Sequence, residues 1–151
     1  VVAVRSDSDI HTLQDLADKV VAVQSTTKPE ELFLDAEQNG LPRLRRLYSL
    51  QNRDLIYTTL IKGYADALAA HESAIRQFMK DYSAEYRILD EPLMTARLGV
   101  AFAKNRGDDL PRQLTEVFKE MLADGTVRQI VSRYLDDPEH YLDGLEDSTH
   151  A

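Results

Sequence analysis

Apolar residues along the chain fall into short continuous runs that alternate with segments of helical spacing. Residues 1–5 and 20–23 are rich in valine and almost unbroken in apolar character, as in strands covered on both faces of a sheet. Further strands are predicted at 44–48, 65–70, 86–89 and 98–103, and helices at 10–16, 30–39, 53–62, 72–81, 110–122 and 127–134. The alternation predicts an α/β fold with an open, mostly parallel sheet flanked by helices.

The composition is that of an ordinary soluble globular protein, with 43% hydrophobic and 29% charged residues. No run approaches the roughly 20 apolar residues that span a bilayer. The chain opens on a predicted strand, so we expect any export signal to have been removed or to lie outside it. A formal net charge of −8 argues against a nucleic-acid partner, whose phosphates require clustered basic residues.

Residues suited to catalysis or metal binding lack the spacing that either function needs. The absence of cysteine excludes disulfides, thiol catalysis and Cys-ligated metals. The histidines show no metal-ligand spacing; they are His11, His71, His140 and His150. A glycine-rich phosphate loop and a serine nucleophile elbow are also missing. We therefore predict no catalytic residue, no metal and no cofactor.

The segment richest in polar chemistry is the turn that follows the strand at 20–23. Thr27 and Glu30 have the spacing of a capping box, and Pro29 fits the first turn of a helix. The free N–H groups of a helix start can hold a carboxylate. The hydroxyls of Thr26 and Thr27 and the ammonium of Lys28 would strengthen such a site. The alternative is that Thr27 only caps its helix.

A second polar pair, His71 and Glu72, follows the strand at 65–70. Because the carboxyl ends of parallel strands meet at one edge, we expect this pair to lie on the same edge as Thr27. The His71 imidazole can donate to an anion or accept from an ammonium group. Glu72 can bind a cation, or it can simply begin the next helix, where a carboxylate favours the helix dipole.

Three motifs, in order, resemble those of the type II periplasmic solute-binding proteins, in the amino-acid-binding (family 3) branch. Residues 10–24, IHTLQDLADKVVAVQ, resemble the family's "sleDLkGKkVaVq" stretch, and residues 63–67, GYADA, resemble "sGraDAv". Residues 98–104, LGVAFAK, with the later DGT at 124–126, are similar to the family's ending. The order and spacing of the motifs over most of the chain make the resemblance specific.

The resemblance implies two α/β lobes that close on a small solute. Residues 1–95 would form the second, ligand-gripping lobe, and residues 96–151 the returning strand and C-terminal helices of the first lobe, whose N-terminal portion would be missing. The strand at 98–103 would then expose an unpaired edge. We therefore expect either association with another chain or disorder after about residue 95.

The resemblance also implies a ligand site. Gln24, Thr26, Thr27 and Lys28 match the turn that receives the ligand carboxylate, and His71 matches the acidic residue that binds the α-ammonium. Thr26 stands where the family usually has glycine, and His71 where it has aspartate. A charged imidazole is a poor partner for an ammonium group, so these departures favour a carboxylate or other anionic ligand over a standard α-amino acid.

The leading hypothesis is extracytoplasmic binding of a small solute, an amino acid or other small carboxylate or anion, for ABC-type uptake. A membrane permease would be the partner of the full-length protein in the periplasm. The alternatives are the ligand-sensing domain of a membrane receptor and a dehydratase or peptidoglycan lyase of the same fold, with His71 and Glu72 as acid and base. An interaction role with a degenerate pocket is also left open.

Overall fold

A computed structural model describes residues 1–83, 85–96, 99–104 and 107–142. The chain divides into two compact units, Val1–Ala96 and Arg97–Ala151. The assignment of residues 1–95 to one lobe and of residues 96–151 to another stays a prediction.

The first unit contains a five-stranded sheet and its flanking helices. Its strands are β1 (Val2–Arg5), β2 (Val20–Gln24), β3 (Arg46–Leu50), β4 (Ala67–Ala69) and β5 (Tyr86–Ile88). Its helices are α1 (Lys28–Leu34), α2 (Arg53–Ile61) and α3 (Glu72–Tyr82), with a 3₁₀ turn at Gln14–Leu16. The predicted α/β class, an open sheet with flanking helices, is confirmed.

The sheet is mixed rather than mostly parallel, with the strand order β3-β2-β4-β1-β5. β2 pairs in parallel with β3 and β4, whereas β1 runs antiparallel to β4 and β5. β1 and β2 run in opposite directions, because β2 is parallel to β4 and β1 is antiparallel to it. The segment between β1 and β2 therefore begins and ends at the same edge of the sheet, and it contains only the 3₁₀ turn.

Hydrophobic side chains cover both faces of the sheet, as the unbroken apolar run of β2 predicts. On one face, Val21 and Val23 pack with Phe33 of α1 and with Leu16 of the 3₁₀ turn. On the other face, Ala22 packs with residues of α2 and α3, including Ile56, Leu60, Ile75 and Phe78. The core therefore holds the strand ends in place on both sides.

Asp66 connects the beginnings of β2 and β4. Its carboxylate accepts a hydrogen bond from the N–H of Val20 at 2.7 Å, and its own N–H donates to the carbonyl of Val20 at 2.8 Å. The two residues thus bond to each other twice where these parallel strands start. The GYADA motif therefore contributes a structural contact through Asp66.

The helix predicted at 30–39 is shorter in the structure and ends at Leu34. Residues 35–40 continue as turns, in which the amide of Asn39 donates to the carbonyl of Asp35 at 2.9 Å and Gly40 has φ of +67°. The same amide also donates to the carbonyl of Leu32 in the last turn of α1 at 3.3 Å, so a side chain satisfies one of the carbonyls at the helix end.

The described part of the second unit contains three helices, α4 (Leu110–Ala123), α5 (Thr126–Val131) and α6 (Pro138–Leu142). The prediction of two helices, at 110–122 and 127–134, agrees with α4 and α5, although α5 is shorter. Four apolar side chains follow one face of α4 at 41–50% exposure: Leu110, Leu114, Val117 and Phe118.

The predicted strand at 98–103 is wrong for the residues that can be compared. Residues 99–104 form no strand, and Val100 is 70% exposed; Leu98 lies outside the described residues. A strand needs a neighbour to bond its N–H and C=O groups. The described residues of the second unit contain no strand that could pair with them. Association with another chain stays a prediction.

Candidate functional site

The carboxyl ends of β3, β2 and β4 meet at one edge of the sheet, because these three strands are parallel neighbours. The register pairs Gln24 with Leu50 on one side of β2 and Val23 with Ala69 on the other. The turn after β2 and His71 after β4 therefore follow neighbouring strand ends. Helices α1, α2 and α3 all begin at this edge.

The turn after β2 is held by hydrogen bonds among its own residues. The hydroxyl of Thr27 donates to the carbonyl of Gln24 at 2.6 Å, and the hydroxyl of Thr26 donates to the carbonyl of Ser25 at 2.6 Å. Thr27 is the N-cap residue of α1, but its side chain does not cap the helix. The predicted capping role of the Thr27 hydroxyl is therefore wrong: the hydroxyl is directed to the carbonyl of Gln24, and its oxygen accepts no hydrogen bond from an N–H of α1.

Glu30 turns back toward the same turn. Its carboxylate accepts a hydrogen bond from the N–H of Thr26 at 2.6 Å and another from the hydroxyl of Ser49 in β3. In a capping box the glutamate would bond to the N–H of the N-cap residue; here it bonds one residue farther out. The Ser49 hydroxyl, and then the Thr26 N–H, lower the pKa of Glu30.

Thr26 has a left-handed backbone, with φ of +60°. A β-branched residue rarely adopts this conformation, since its side chain crowds the backbone. Glycine adopts it without steric cost. The strain falls at the position where the resemblance to solute-binding proteins implies a glycine.

Thr26→Gly is expected to raise the free energy of unfolding by about 0.5–1 kcal/mol, because relief of backbone strain exceeds the added freedom of the unfolded chain. Urea denaturation followed by circular dichroism measures the change. Thr26→Ala is the matched control, because alanine keeps a Cβ and much of the strain. Equal free energies of unfolding for Thr26→Gly and Thr26→Ala would show that the backbone of Thr26 is not strained.

The remaining predicted residues are exposed. The Lys28 ammonium pairs with the carboxylate of Glu31 at 2.5 Å, in a contact open to solvent. His71 is the N-cap residue of α3, and its imidazole makes no capping hydrogen bond. The structure thus brings His71 to the strand end next to the turn, without a described hydrogen bond between the two.

The position of Glu72 is better explained by the alternative that it begins a helix than by a role in binding a cation. It is the first residue of α3, and its carboxylate pairs with the guanidinium of Arg76 one helical turn later, at 2.6 Å. Such a pair at i,i+4 supports a helix start. An acid–base pair of His71 and Glu72 gains no support from this arrangement.

Two other kinds of feature are absent from the part of the chain that the structure describes. The residues of these ranges include no group of three or more His, Cys, Asp or Glu side chains that could hold a metal ion. Within the same ranges, the structure contains no helix long and apolar enough to cross a membrane.

Comparison with known sequences identifies relatives over most of the chain. No family model matches. The histidine-binding periplasmic protein of Escherichia coli K12 is 33% identical over 142 residues, which cover 88% of this chain and 53% of that protein. This chain is a homologue of the periplasmic amino-acid-binding proteins. A putative amino-acid ABC transporter-binding protein, PatH of Vibrio harveyi, is 28% identical over 131 residues, 85% of this chain and 51% of that protein.

Solved structures of amino-acid-binding proteins share the fold. The substrate-binding protein of an amino acid ABC transporter superposes with a TM-score of 0.69 and 27% identity, over 91% of this chain and 59% of that protein. A probable amino-acid ABC transporter extracellular-binding protein, ytmK of Bacillus subtilis, gives a TM-score of 0.76 at 24% identity, over 90% and 59% of the two chains. This chain spans about half the length of the curated relatives it matches.

Proposed function

We propose that this chain is part of an extracytoplasmic solute-binding protein that delivers a small carboxylate-bearing solute to an ABC-type permease. The observation that carries the proposal is the 33% identity with the histidine-binding periplasmic protein over 88% of this chain. The named relatives are binding proteins, which favours binding over catalysis. In this proposal residues 1–95 form the ligand-gripping lobe, and the protein works in the periplasm.

The turn after β2 is the proposed receptor for the ligand carboxylate. No side chain caps α1 within the part of the chain that the structure describes, so its first N–H groups have no side-chain acceptor. The Lys28 ammonium can exchange its exposed Glu31 partner for the ligand, since such surface pairs contribute little. The turn is shaped by Gln24, Thr26 and Thr27. The hydroxyl oxygens of both threonines keep lone pairs that can accept a hydrogen bond from the ligand.

His71 is the proposed second contact, at the neighbouring strand end. Its exposed imidazole can donate to a further carboxylate of the ligand, or accept from a donor when neutral. A histidine is a better partner for an anionic group at this end of the ligand than for an ammonium group. Small dicarboxylates and carboxylate-bearing anions are therefore the favoured ligands, and amino acids the comparison set.

A thermal-shift screen of the full-length gene product tests the proposal against L-amino acids, dicarboxylates and inorganic anions. A bound solute is expected to raise the melting temperature by mass action. Lys28→Ala should weaken binding of that solute about tenfold, through loss of a charge-assisted bond. Lys62→Ala is the matched control, because Lys62 follows the last residue of α2, at the edge away from the turn.

Two results would contradict the proposal. One is the absence of stabilisation by every solute in the screen. The other is conversion of a bound solute to a new product, detected by mass spectrometry, because a binding protein releases its ligand unchanged.

A further inference from the structure

The carboxylate of Glu30 joins three elements at the candidate site. Glu30 lies in the first turn of α1, its partner Thr26 lies in the turn after β2, and its partner Ser49 lies in β3. We propose that Glu30 is a positioning residue, which holds the turn after β2 in the conformation that receives the ligand. This inference rests on the proposed function, because it concerns the same turn.

The bond from Thr26 to Glu30 acts where the backbone is under strain. Thr26 has φ of +60°, which a β-branched residue tolerates only when its surroundings hold it there. A backbone N–H that donates to an ionised carboxylate makes one of the stronger hydrogen bonds in proteins. Without this bond the turn should relax toward negative φ, and the N–H groups of Thr27 and Lys28, which follow directly, would change direction.

Ser49 fixes the carboxylate from the other side. The register of β2 with β3 places Ser49 beside Val23, just before the turn. Its hydroxyl donates to one oxygen of Glu30 while the N–H of Thr26 donates to the other. The neighbouring acid, Glu31, is already paired with Lys28. The carboxylate is thus anchored to the sheet as well as to the helix.

Simple capping of α1 is the alternative role for Glu30. A capping glutamate would bond to the N–H of Thr27, which is the N-cap residue. The bond is instead made to Thr26, which lies outside the helix and carries the strained angle. The contact therefore constrains the turn rather than the helix start.

Affinity for the solute found in the screen tests this role, by titration calorimetry well below the melting temperature. Glu30→Ala is expected to weaken binding about tenfold, and Glu30→Gln, which keeps an acceptor for the Thr26 N–H, to stay within about threefold of the original affinity. In a Thr26→Gly background, whose own affinity is the reference, Glu30→Ala should weaken binding by less than about threefold, since glycine holds the left-handed angle unaided. Unchanged affinity in Glu30→Ala, or an equal loss in both backgrounds, would overturn the proposal.

A readout that needs no ligand separates this proposal from the proposed function. The three-bond coupling between the amide and α protons of Thr26, with its Cα and Cβ chemical shifts, reports the backbone angle by NMR. In Glu30→Ala these values should move away from those of the left-handed region. If they match the original protein, the positioning role is overturned, whether or not any solute binds. If they move but no solute stabilises the protein, the positioning of the turn is supported and the proposed function fails.

Discussion

Phe78→Ala is expected to lower the free energy of unfolding by about 3–5 kcal/mol, because it empties the centre of an aromatic cluster. Phe78 is 5% exposed, and its ring stacks on that of Tyr57 with centroids 3.9 Å apart and an interplanar angle of 6°. The rings of Tyr82 and Tyr86 lie 4.9 and 5.9 Å from the same ring. Urea denaturation monitored by circular dichroism and tyrosine fluorescence measures the loss.

Two matched variants show whether the cost comes from packing. Phe78→Leu keeps most of the apolar volume and should cost less than about 1.5 kcal/mol. Tyr82→Ala removes a ring that is 64% exposed and should cost less than Phe78→Ala. A loss below about 1 kcal/mol in Phe78→Ala would contradict the central position of this ring between α2, α3 and β5.

Asp66→Ala is expected to lower the free energy of unfolding by about 2 kcal/mol, since the N–H of Val20 loses its carboxylate acceptor. Val20 is 7% exposed, so water replaces the lost bond poorly. The change should also speed hydrogen exchange at the amide of Val20, which NMR measures directly.

The controls for Asp66 separate the hydrogen bond from the nearby ion pair. Asp66→Asn keeps an oxygen acceptor and should retain most of the stability. Arg45→Ala removes a guanidinium 3.7 Å from the carboxylate in an exposed pair, and should cost less than about 0.5 kcal/mol. Equal losses in Asp66→Ala and Arg45→Ala would show that the bond to Val20 contributes little.

The elements of the sheet could be predicted where apolar runs are continuous. The valines of residues 20–23 indicate a strand buried on both faces, and β2 has that environment. The run at 98–103 has a similar apolar character, yet residues 99–104 are irregular. An apolar pattern indicates that a segment can be buried. It does not indicate whether a neighbouring strand is available to form hydrogen bonds with the backbone of that segment.

The candidate site was predictable in outline, since its residues follow strands whose carboxyl ends meet at one edge. Whether Gln24, Thr26, Thr27, Lys28 and His71 bind a ligand stays a prediction. Ser49 was missed, because only the register of β2 with β3 shows that a residue nineteen positions away in the chain reaches Glu30. The spacing of Thr27 and Glu30 indicated a backward contact, but several N–H groups lie within reach of a glutamate, and spacing does not choose among them.

The central position of β2 has a consequence for how this protein can diversify. β2 is hydrogen-bonded on both sides, and Val21, Ala22 and Val23 are fully buried. Stability therefore resides in the strand, whereas the exposed residues Thr26 and Lys28 contribute little to the core. In the proposed site, substitutions in the turn would change which solute is recognised while the strand keeps the fold, so the proposal implies that new specificities arise by single mutational steps.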